Sequence, residues 1–145
     1  SSRIRIALLD NDMEMAARLL GRPYRISGRV IHGDQLGQQL NFPTANIKLP
    51  MFDMPVKGVY LVEVGGIGER KQPGVANIGT RPTVAGTRRM LEVHMLEFTG
   101  DLYGKYLEVD FLKHIRDEIR FGSIQELKQQ IGEDVISARE FFKNR

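Results

Sequence analysis

Short β-prone runs separated by glycine- and proline-containing turns fill residues 24–111 of this 145-residue sequence, with no helical period between them. The predicted strands cover residues 27–32, 45–49, 59–64, 71–78, 90–98 and 105–111. Consecutive short strands without intervening helices pair antiparallel, either in a sandwich or in a barrel. The run of short strands predicts a mainly β fold, and the length fits one domain. Closure of the strands into a barrel would remove exposed strand edges.

A helical pattern precedes the β region. Residues 3–20 carry apolar side chains at helical spacing, interrupted at residues 10–12 by an Asp-Asn-Asp segment that can cap a second helix. Gly21, which lies two residues before a proline, is a typical helix end. We therefore expect a short helical lead-in that stays outside the core of the domain.

A second helical pattern follows the β region. Ser123 and Glu126 match a capping box, and an apolar stripe comes directly after the serine. The stripe consists of Ile124, Leu127, Ile131, Val135, Ala138 and Phe142. We expect this helix to pack on the barrel, with a break at Gly132, because a glycine weakens a helix by about 1 kcal/mol relative to alanine.

Composition excludes several classes of function. The sequence has no cysteine, which rules out disulfides, thiolate metal sites and cysteine nucleophiles and fits a cytoplasmic protein. No apolar run approaches the roughly 20 residues that span a bilayer, and no secretory leader opens the chain, so no membrane association is expected. The 21 basic residues exceed the 18 acidic ones only slightly and are scattered, which favours small phosphate-bearing ligands over nucleic acid.

One segment with possible chemistry is Asn-Phe-Pro-Thr-Ala-Asn at residues 41–46. In an extended chain Thr44 and Asn46 point to the same side, and a hydroxyl and a carboxamide are hard oxygen ligands that suit Mg²⁺. The alternative is a turn in which both side chains cap local backbone groups. Taken alone, the residues favour the turn.

A second segment places Glu92 and His94 on one face of a strand, because they alternate with Leu91, Val93 and Met95. If that face lines a pocket, Glu92 is a candidate general base, with burial raising its pKa. The alternative is an ordinary solvated strand face. A third segment, residues 115–121, mixes arginines, acids and Phe121 in an irregular connection that suits either a lid over a flat ligand or a solvated loop.

Together and in this order, the segments resemble the riboflavin kinase family over residues 20–142. The matching blocks are Leu-Gly-Arg-Pro-Tyr (20–24), Gly-Arg-Val (28–30), His-Gly-Asp (32–34), Phe-Pro-Thr-Ala-Asn (42–46), Lys-Gly-Val-Tyr (57–60), Asn-Ile-Gly-Thr-Arg-Pro-Thr (77–83), Glu-Val-His (92–94), Asp-Leu-Tyr-Gly (101–104) and Ile-Arg (115–116). The resemblance implies a six-stranded antiparallel closed barrel with a C-terminal helix packed on it. It also implies transfer of the ATP γ-phosphoryl group to the 5′-hydroxyl of riboflavin, giving FMN and ADP.

The resemblance also implies roles for individual residues. Glu92 would accept the proton of the riboflavin hydroxyl, and Arg116 and Phe121 would belong to a flap over the flavin. Mg²⁺ would be held at Thr44 and Asn46. The whole Mg-ATP site would comprise Gly33, Phe42, Pro43, Thr44 and Asn46. One departure is Gln38, which stands where the family often has a basic residue and cannot supply a positive charge to a phosphate.

The match extends to the C-terminal kinase module of bacterial bifunctional riboflavin kinase/FAD synthetases. On that resemblance, residues 1–21 are a helical linker left from the preceding adenylyltransferase module, and residues 22–145 are the riboflavin kinase domain. The adenylyltransferase module would then be a partner in the full-length protein, and this chain would not make FAD by itself. The alternatives are a catalytically silent flavin- or nucleotide-binding barrel and a barrel that binds nucleic acid.

Overall fold

Six antiparallel strands form one sheet in the computed structural model, which describes residues 2–32, 43–50 and 54–145. The strands are β1 (Tyr24–Arg29), β2 (Thr44–Leu49), β3 (Gly58–Gly65), β4 (Gln72–Thr83), β5 (Gly86–Met95) and β6 (Tyr106–Arg116). Their order in the sheet is β1-β6-β3-β4-β5-β2. Two residues beyond the edge strand β1, an isolated bridge reaches the other edge strand β2, where the Ile31 N–H donates to the Asn46 carbonyl at 2.8 Å. The predicted antiparallel barrel is confirmed, and it is nearly closed.

The β4–β5 hairpin is longer than the sequence predicts. Residues 79–83 continue β4, and their ladder with β5 runs to the pair Thr83–Gly86. Strand β6 is also longer, because its pairing with β3 continues to Val59–Arg116. The interpretation of residues 115–121 as one irregular connection is therefore wrong for the first two of them, Ile115 and Arg116, which belong to β6. Local propensity does not reveal the full length of these strands, because the backbone partners of the added residues lie on other strands.

Alternating apolar residues of all six strands fill the barrel, as the period of two requires. Tyr60 and Phe111 are its largest side chains, with ring centroids 5.1 Å apart in an edge-to-face arrangement. The Tyr60 hydroxyl is satisfied at the barrel end, where it lies 2.8 Å from the Lys57 carbonyl and 3.0 Å from Asn11 Oδ1. Tyr60 thereby connects the barrel to the turn between the first two helices.

Two short helices cover this end of the barrel, α1 (Ser2–Leu9) and α2 (Met13–Leu20). Asp12 caps α2 by accepting from the Met15 N–H at 3.0 Å, and Gly21 ends it in the left-handed conformation, as predicted. Four buried residues of the two helices join the barrel core, namely Ala7, Leu8, Met13 and Ala16. The expectation that the lead-in lies outside the core is wrong. Its assignment to a linker from another module stays a prediction.

The third helix, α3 (Ile124–Lys143), packs on the outer face of β3 and β4. Ser123 Oγ accepts from the Glu126 N–H at 3.2 Å, whereas Glu126 accepts from the N–H of Gly122, one residue earlier than a capping box requires. The helix continues through Gly132, so the predicted break is wrong. Burial of the stripe at Ile131, Val135 and Ala138 outweighs the weak propensity of one glycine. No helix of the described segments is both long and apolar enough to cross a membrane.

An ion-pair cluster joins β1, β6 and Lys71, the residue before β4. The Asp110 carboxylate is 1% exposed and lies 2.6 Å from both Arg25 Nε and Lys71 Nζ. Burial raises the pKa of Asp110, but the hydrogen bonds and charges of Arg25 and Lys71 outweigh burial and hold that pKa below its ordinary value. The cluster therefore stabilises the fold above the ordinary aspartate pKa, and its contribution is lost as the pH falls through the lowered value.

Asp110→Asn is expected to lower the free energy of unfolding by about 2–3 kcal/mol at pH 7, because it leaves two cations beside a buried neutral group. The difference from the unsubstituted protein should shrink below about pH 4, where the unfolded carboxyl is protonated. Urea denaturation at pH 7 and pH 3 measures both values. Glu108→Gln is the control, since Glu108 is an exposed member of the same cluster and should cost less than about 1 kcal/mol. A loss equal at both pH values would contradict the charge-based account.

Candidate active site

A row of polar side chains crosses three strands on the outer face of the barrel. Asn46 of β2 lies directly opposite Glu92 of β5, and Glu92 lies directly opposite Asn77 of β4. In the next row, Thr44 lies opposite His94. Directly opposed residues of antiparallel strands have their Cβ atoms about 5 Å apart on the same face. The register therefore sets Thr44 and Asn46 beside Glu92 and His94, the residues that the sequence patterns had marked as candidates.

A cavity of about 450 Å³ lies between this face, α3 and residues 117–121. Its polar side includes Asn77, Arg81, Glu92 and His94. Its apolar side includes Val59, Val75, Phe121, Leu127 and Ile131. Thr44 and Asn46 are not among the described residues that line the cavity. Glu92 thus stands between the cavity on the β4 side and the hydroxyl and carboxamide on the β2 side.

Glu92 is held close to His94 in a poorly hydrated position. Its side chain is 18% exposed, and its Oε1 lies 3.3 Å from His94 Nε2. Burial raises the pKa of Glu92, but the hydrogen bond with His94 and the charges of His94 and Arg81 outweigh burial, so the pKa is below its ordinary value. The expectation that burial leaves Glu92 with a raised pKa is wrong, because neighbouring donors decide the sign. The carboxylate is ionised at neutral pH.

Arg116 is fixed by a buried partner that sequence analysis missed. Its Nε and Nη2 donate to the two oxygens of Asp134 on α3 at 2.9 and 2.8 Å, a bidentate geometry. Gln130 Nε2 donates to the same carboxylate at 3.2 Å. Arg116 lines the cavity, but its charge is already matched by Asp134. An acidic residue inside the apolar stripe of α3 was the signal that could have revealed Asp134.

Glu118 docks residues 117–121 against β4. Its Oε2 lies 3.1 Å from Arg81 Nη1, and both side chains are about one-third exposed. The Glu118 carboxylate also covers Gly79, where an added Cβ would lie 2.5 Å from Oε1 and 2.6 Å from Cδ. Only a residue without a side chain leaves room for this contact. Glu118 belongs to the candidate lid segment 115–121, whereas Gly79 was not a predicted site residue.

The remaining predicted residues are placed as follows. Pro43 precedes β2, and its carbonyl accepts from the Met95 N–H at 2.9 Å, which extends the β2–β5 contact by one residue. Phe121 lines the cavity. Gly33, Gln38 and Phe42 lie outside the described residues.

The chain matches the family model "Flavokinase: Riboflavin kinase" over residues 20–142, and it therefore belongs to the riboflavin kinase family. The bifunctional riboflavin kinase/FMN adenylyltransferase of Escherichia coli (strain K12) is 57% identical over 142 residues, which cover 98% of this chain and 45% of that protein. The protein of the same description from Pseudomonas fluorescens is 52% identical over 140 residues, or 96% of this chain and 45% of its own length. The chain spans less than half the length of these relatives and corresponds to their kinase part.

Solved structures agree with this assignment. A riboflavin kinase from Trypanosoma brucei superposes with a TM-score of 0.57 at 30% identity, covering 83% of this chain and 80% of that one. A Streptococcus pneumoniae structure described as a macrolide-efflux protein superposes with a TM-score of 0.82 at 37% identity, covering 96% of this chain and 46% of that one. The resemblance stated from the sequence motifs is confirmed, and the chain is a riboflavin kinase domain.

Proposed function

We propose that this domain transfers the γ-phosphoryl group of ATP to the 5′-hydroxyl of riboflavin, giving FMN and ADP. The observation that carries the proposal is the β2–β5 register, which sets Asn46 directly opposite Glu92 at the side of the cavity. Phosphoryl transfer needs a positioned hydroxyl, a base near it and neutralised phosphate charge, with little covalent help from the protein. One carboxylate flanked by an apolar cavity and by hard oxygen ligands meets these needs.

Glu92 is the proposed general base. As the oxygen of the riboflavin 5′-hydroxyl forms its bond to the γ-phosphorus, the hydroxyl proton passes to the Glu92 carboxylate, and ADP leaves with the electron pair of the broken bond. The lowered pKa of Glu92 keeps it unprotonated and ready at neutral pH. It also makes Glu92 a weak base, so its contribution depends on orientation as much as on basicity.

Thr44 and Asn46 are the proposed protein ligands of Mg²⁺. They share one face of β2, and a hydroxyl and a carboxamide oxygen fit the preference of Mg²⁺ for hard oxygen ligands. Both donors are neutral, so the phosphates of ATP would supply the compensating negative charge. When bound, the ion neutralises charge on the phosphate oxygens. Pro43, Gly33 and Phe42 complete the proposed Mg-ATP site by family resemblance.

The cavity is the proposed flavin site. Its apolar side, with Phe121, suits a flat tricyclic ring, and its polar side at Glu92 suits the hydroxylated ribityl chain. Arg116 contributes by fixing the end of β6 to α3 through Asp134, because its guanidinium is already bonded. Residues 117–121, docked by Glu118, would close the cavity and exclude water during transfer.

Gly79→Ala is expected to raise the KM for riboflavin about two- to five-fold with little change in kcat, because the new methyl group displaces Glu118 from a partly exposed ion pair. Steady-state kinetics and thermal denaturation measure the two effects. Gly132→Ala is the control, since nothing lies within 4 Å of an added Cβ there, and it should leave KM unchanged. An unchanged KM in Gly79→Ala would show that the Glu118 contact does not serve the flavin site.

Thr44→Val is expected to raise the Mg²⁺ concentration needed for half-maximal activity by about ten-fold, because it removes one of two protein oxygens from the ion. A Mg²⁺ titration of FMN formation at fixed ATP tests this, with circular dichroism to confirm the fold. Thr83→Val, on an exposed residue of the β4–β5 hairpin, is the control. A normal Mg²⁺ requirement in folded Thr44→Val would remove Thr44 from the metal site.

The proposed activity is tested by incubating the chain with riboflavin, ATP and Mg²⁺ and separating the flavins by chromatography. We expect FMN to form only when Mg²⁺ is present, and no FAD to form. Tight riboflavin binding without FMN would favour the alternative of a silent binding module. The adenylyltransferase module of a longer protein, which would convert FMN to FAD, and the cytoplasmic location remain parts of the proposal.

A further inference from the structure

His94 is buried beside Glu92 and has no other use in the proposed reaction. Its side chain is 8% exposed, and its Nε2 lies 3.3 Å from Glu92 Oε1. Its other nitrogen, Nδ1, is fully buried and has no hydrogen-bond partner within the described part of the chain. The ring lines the cavity and lies opposite Thr44 on the neighbouring strand. Its one polar contact in the described structure is therefore with Glu92.

We propose that His94 is a positioning residue, which holds Glu92 in the orientation needed to accept the substrate proton. This inference rests on the proposed function, in which Glu92 is the base. The contact from Nε2 engages Oε1 of the carboxylate, and no described residue donates to Oε2, which can therefore accept from the hydroxyl of the substrate. Because both residues stand two apart on one strand, the rigid backbone of β5 sets their spacing.

The burial of Nδ1 determines which nitrogen carries the proton. When the ring holds one proton, Nε2 is its favourable site, since Nε2 faces a carboxylate, whereas an N–H at Nδ1 would be buried with no acceptor among the residues that the structure describes. An N–H directed at a carboxylate fixes the orientation of both the ring and the carboxylate, in the same way that hydrogen-bond partners orient the side chains that bind metal ions. Within residues 2–32, 43–50 and 54–145, His94 has no competing bond that would turn it away from Glu92.

The other charged groups around the cavity do not replace this contact. Arg81 of β4 is bonded to Glu118, and Arg116 of β6 is bonded to Asp134 of α3. Arg120 is an exposed member of the cavity lining. Arg81 acts on Glu92 through its charge, whereas His94 acts through both its charge and a hydrogen bond. His94 is thus the neighbour whose removal should change Glu92 most.

His94→Leu is expected to lower kcat by about 10- to 100-fold, the usual cost of losing such a supporting contact, with the KM for riboflavin within about three-fold. His94→Gln, which keeps an N–H donor near the position of Nε2, should recover most of the activity.

The experiment compares kcat and the KM for riboflavin, at pH 7, of the unsubstituted chain, His94→Leu, His94→Gln and His114→Leu. The last is the matched control, a mostly buried histidine that packs on Tyr60 instead of lining the cavity, and its kcat should not change. A normal kcat in His94→Leu would overturn the inference. So would a folded His94→Gln that is as slow as His94→Leu, since that result assigns the ring to packing.

A Glu92→Gln background separates this inference from the proposed function. If Glu92 is the base and His94 acts through it, His94→Leu should cause no further loss in that background. A fast Glu92→Gln variant would refute the base assignment itself. A slow Glu92→Gln variant combined with a normal His94→Leu variant would refute only the positioning role.

Discussion

Glu92→Gln is expected to lower the turnover of riboflavin by at least about 100-fold at pH 7, with riboflavin and ATP affinities within about three-fold of their original values. The amide keeps the size and the polar contact near His94, but it cannot accept a proton from the substrate hydroxyl. The barrel and cavity should be unaffected, since the glutamate sits on the outer face and contributes nothing to the apolar core. A loss confined to kcat is the signature of an interaction made in the transition state.

Single-turnover FMN formation and flavin fluorescence titration measure the chemical and binding steps separately. Glu97→Gln is the matched control, because Glu97 follows the same strand but is exposed and does not line the cavity. Activity of the unsubstituted domain should persist down to the ordinary glutamate pKa of 4.5 and fall only below it, because the pKa of Glu92 is lowered. A Glu92→Gln variant with the original rate would exclude Glu92 as the base.

Asp134→Ala is expected to lower the free energy of unfolding by about 3–5 kcal/mol, because it leaves the guanidinium of Arg116, whose side chain is 17% exposed, without its partner. The pair joins the last strand of the barrel to α3, so the same change should widen the cavity and weaken riboflavin binding. Urea denaturation gives the first quantity, and fluorescence titration in the absence of denaturant gives the second.

Two controls separate the ion pair from general damage to the helix. Glu133→Ala alters the preceding, exposed residue of α3 and should change stability by less than about 0.5 kcal/mol. The double variant Arg116→Met/Asp134→Leu replaces the pair with apolar side chains and should recover much of the lost stability. Equal losses in Asp134→Ala and Glu133→Ala would show that the bidentate pair contributes no special stability.

Local patterns in the sequence predicted the parts of this molecule that depend on neighbours along the chain. Alternation placed Glu92 and His94 on one face of β5 and Leu91, Val93 and Met95 on the other, as the strand shows. Asp12 and Ser123 cap their helices as expected, because a cap needs only the next few backbone N–H groups. The motifs were also enough to identify the family, because identification needs only the motifs themselves and their order along the chain.

Tertiary structure decided the rest, because it depends on which distant segments meet. No local rule sets the register that puts Asn46 opposite Glu92, nor the bonds between Arg116 and Asp134 or between Arg81 and Glu118. The sign of the pKa shift of Glu92 was mispredicted for the same reason. Burial is suggested by an alternating pattern, but the donors and charges that outweigh it come partly from another strand, and their distances exist only in the folded chain.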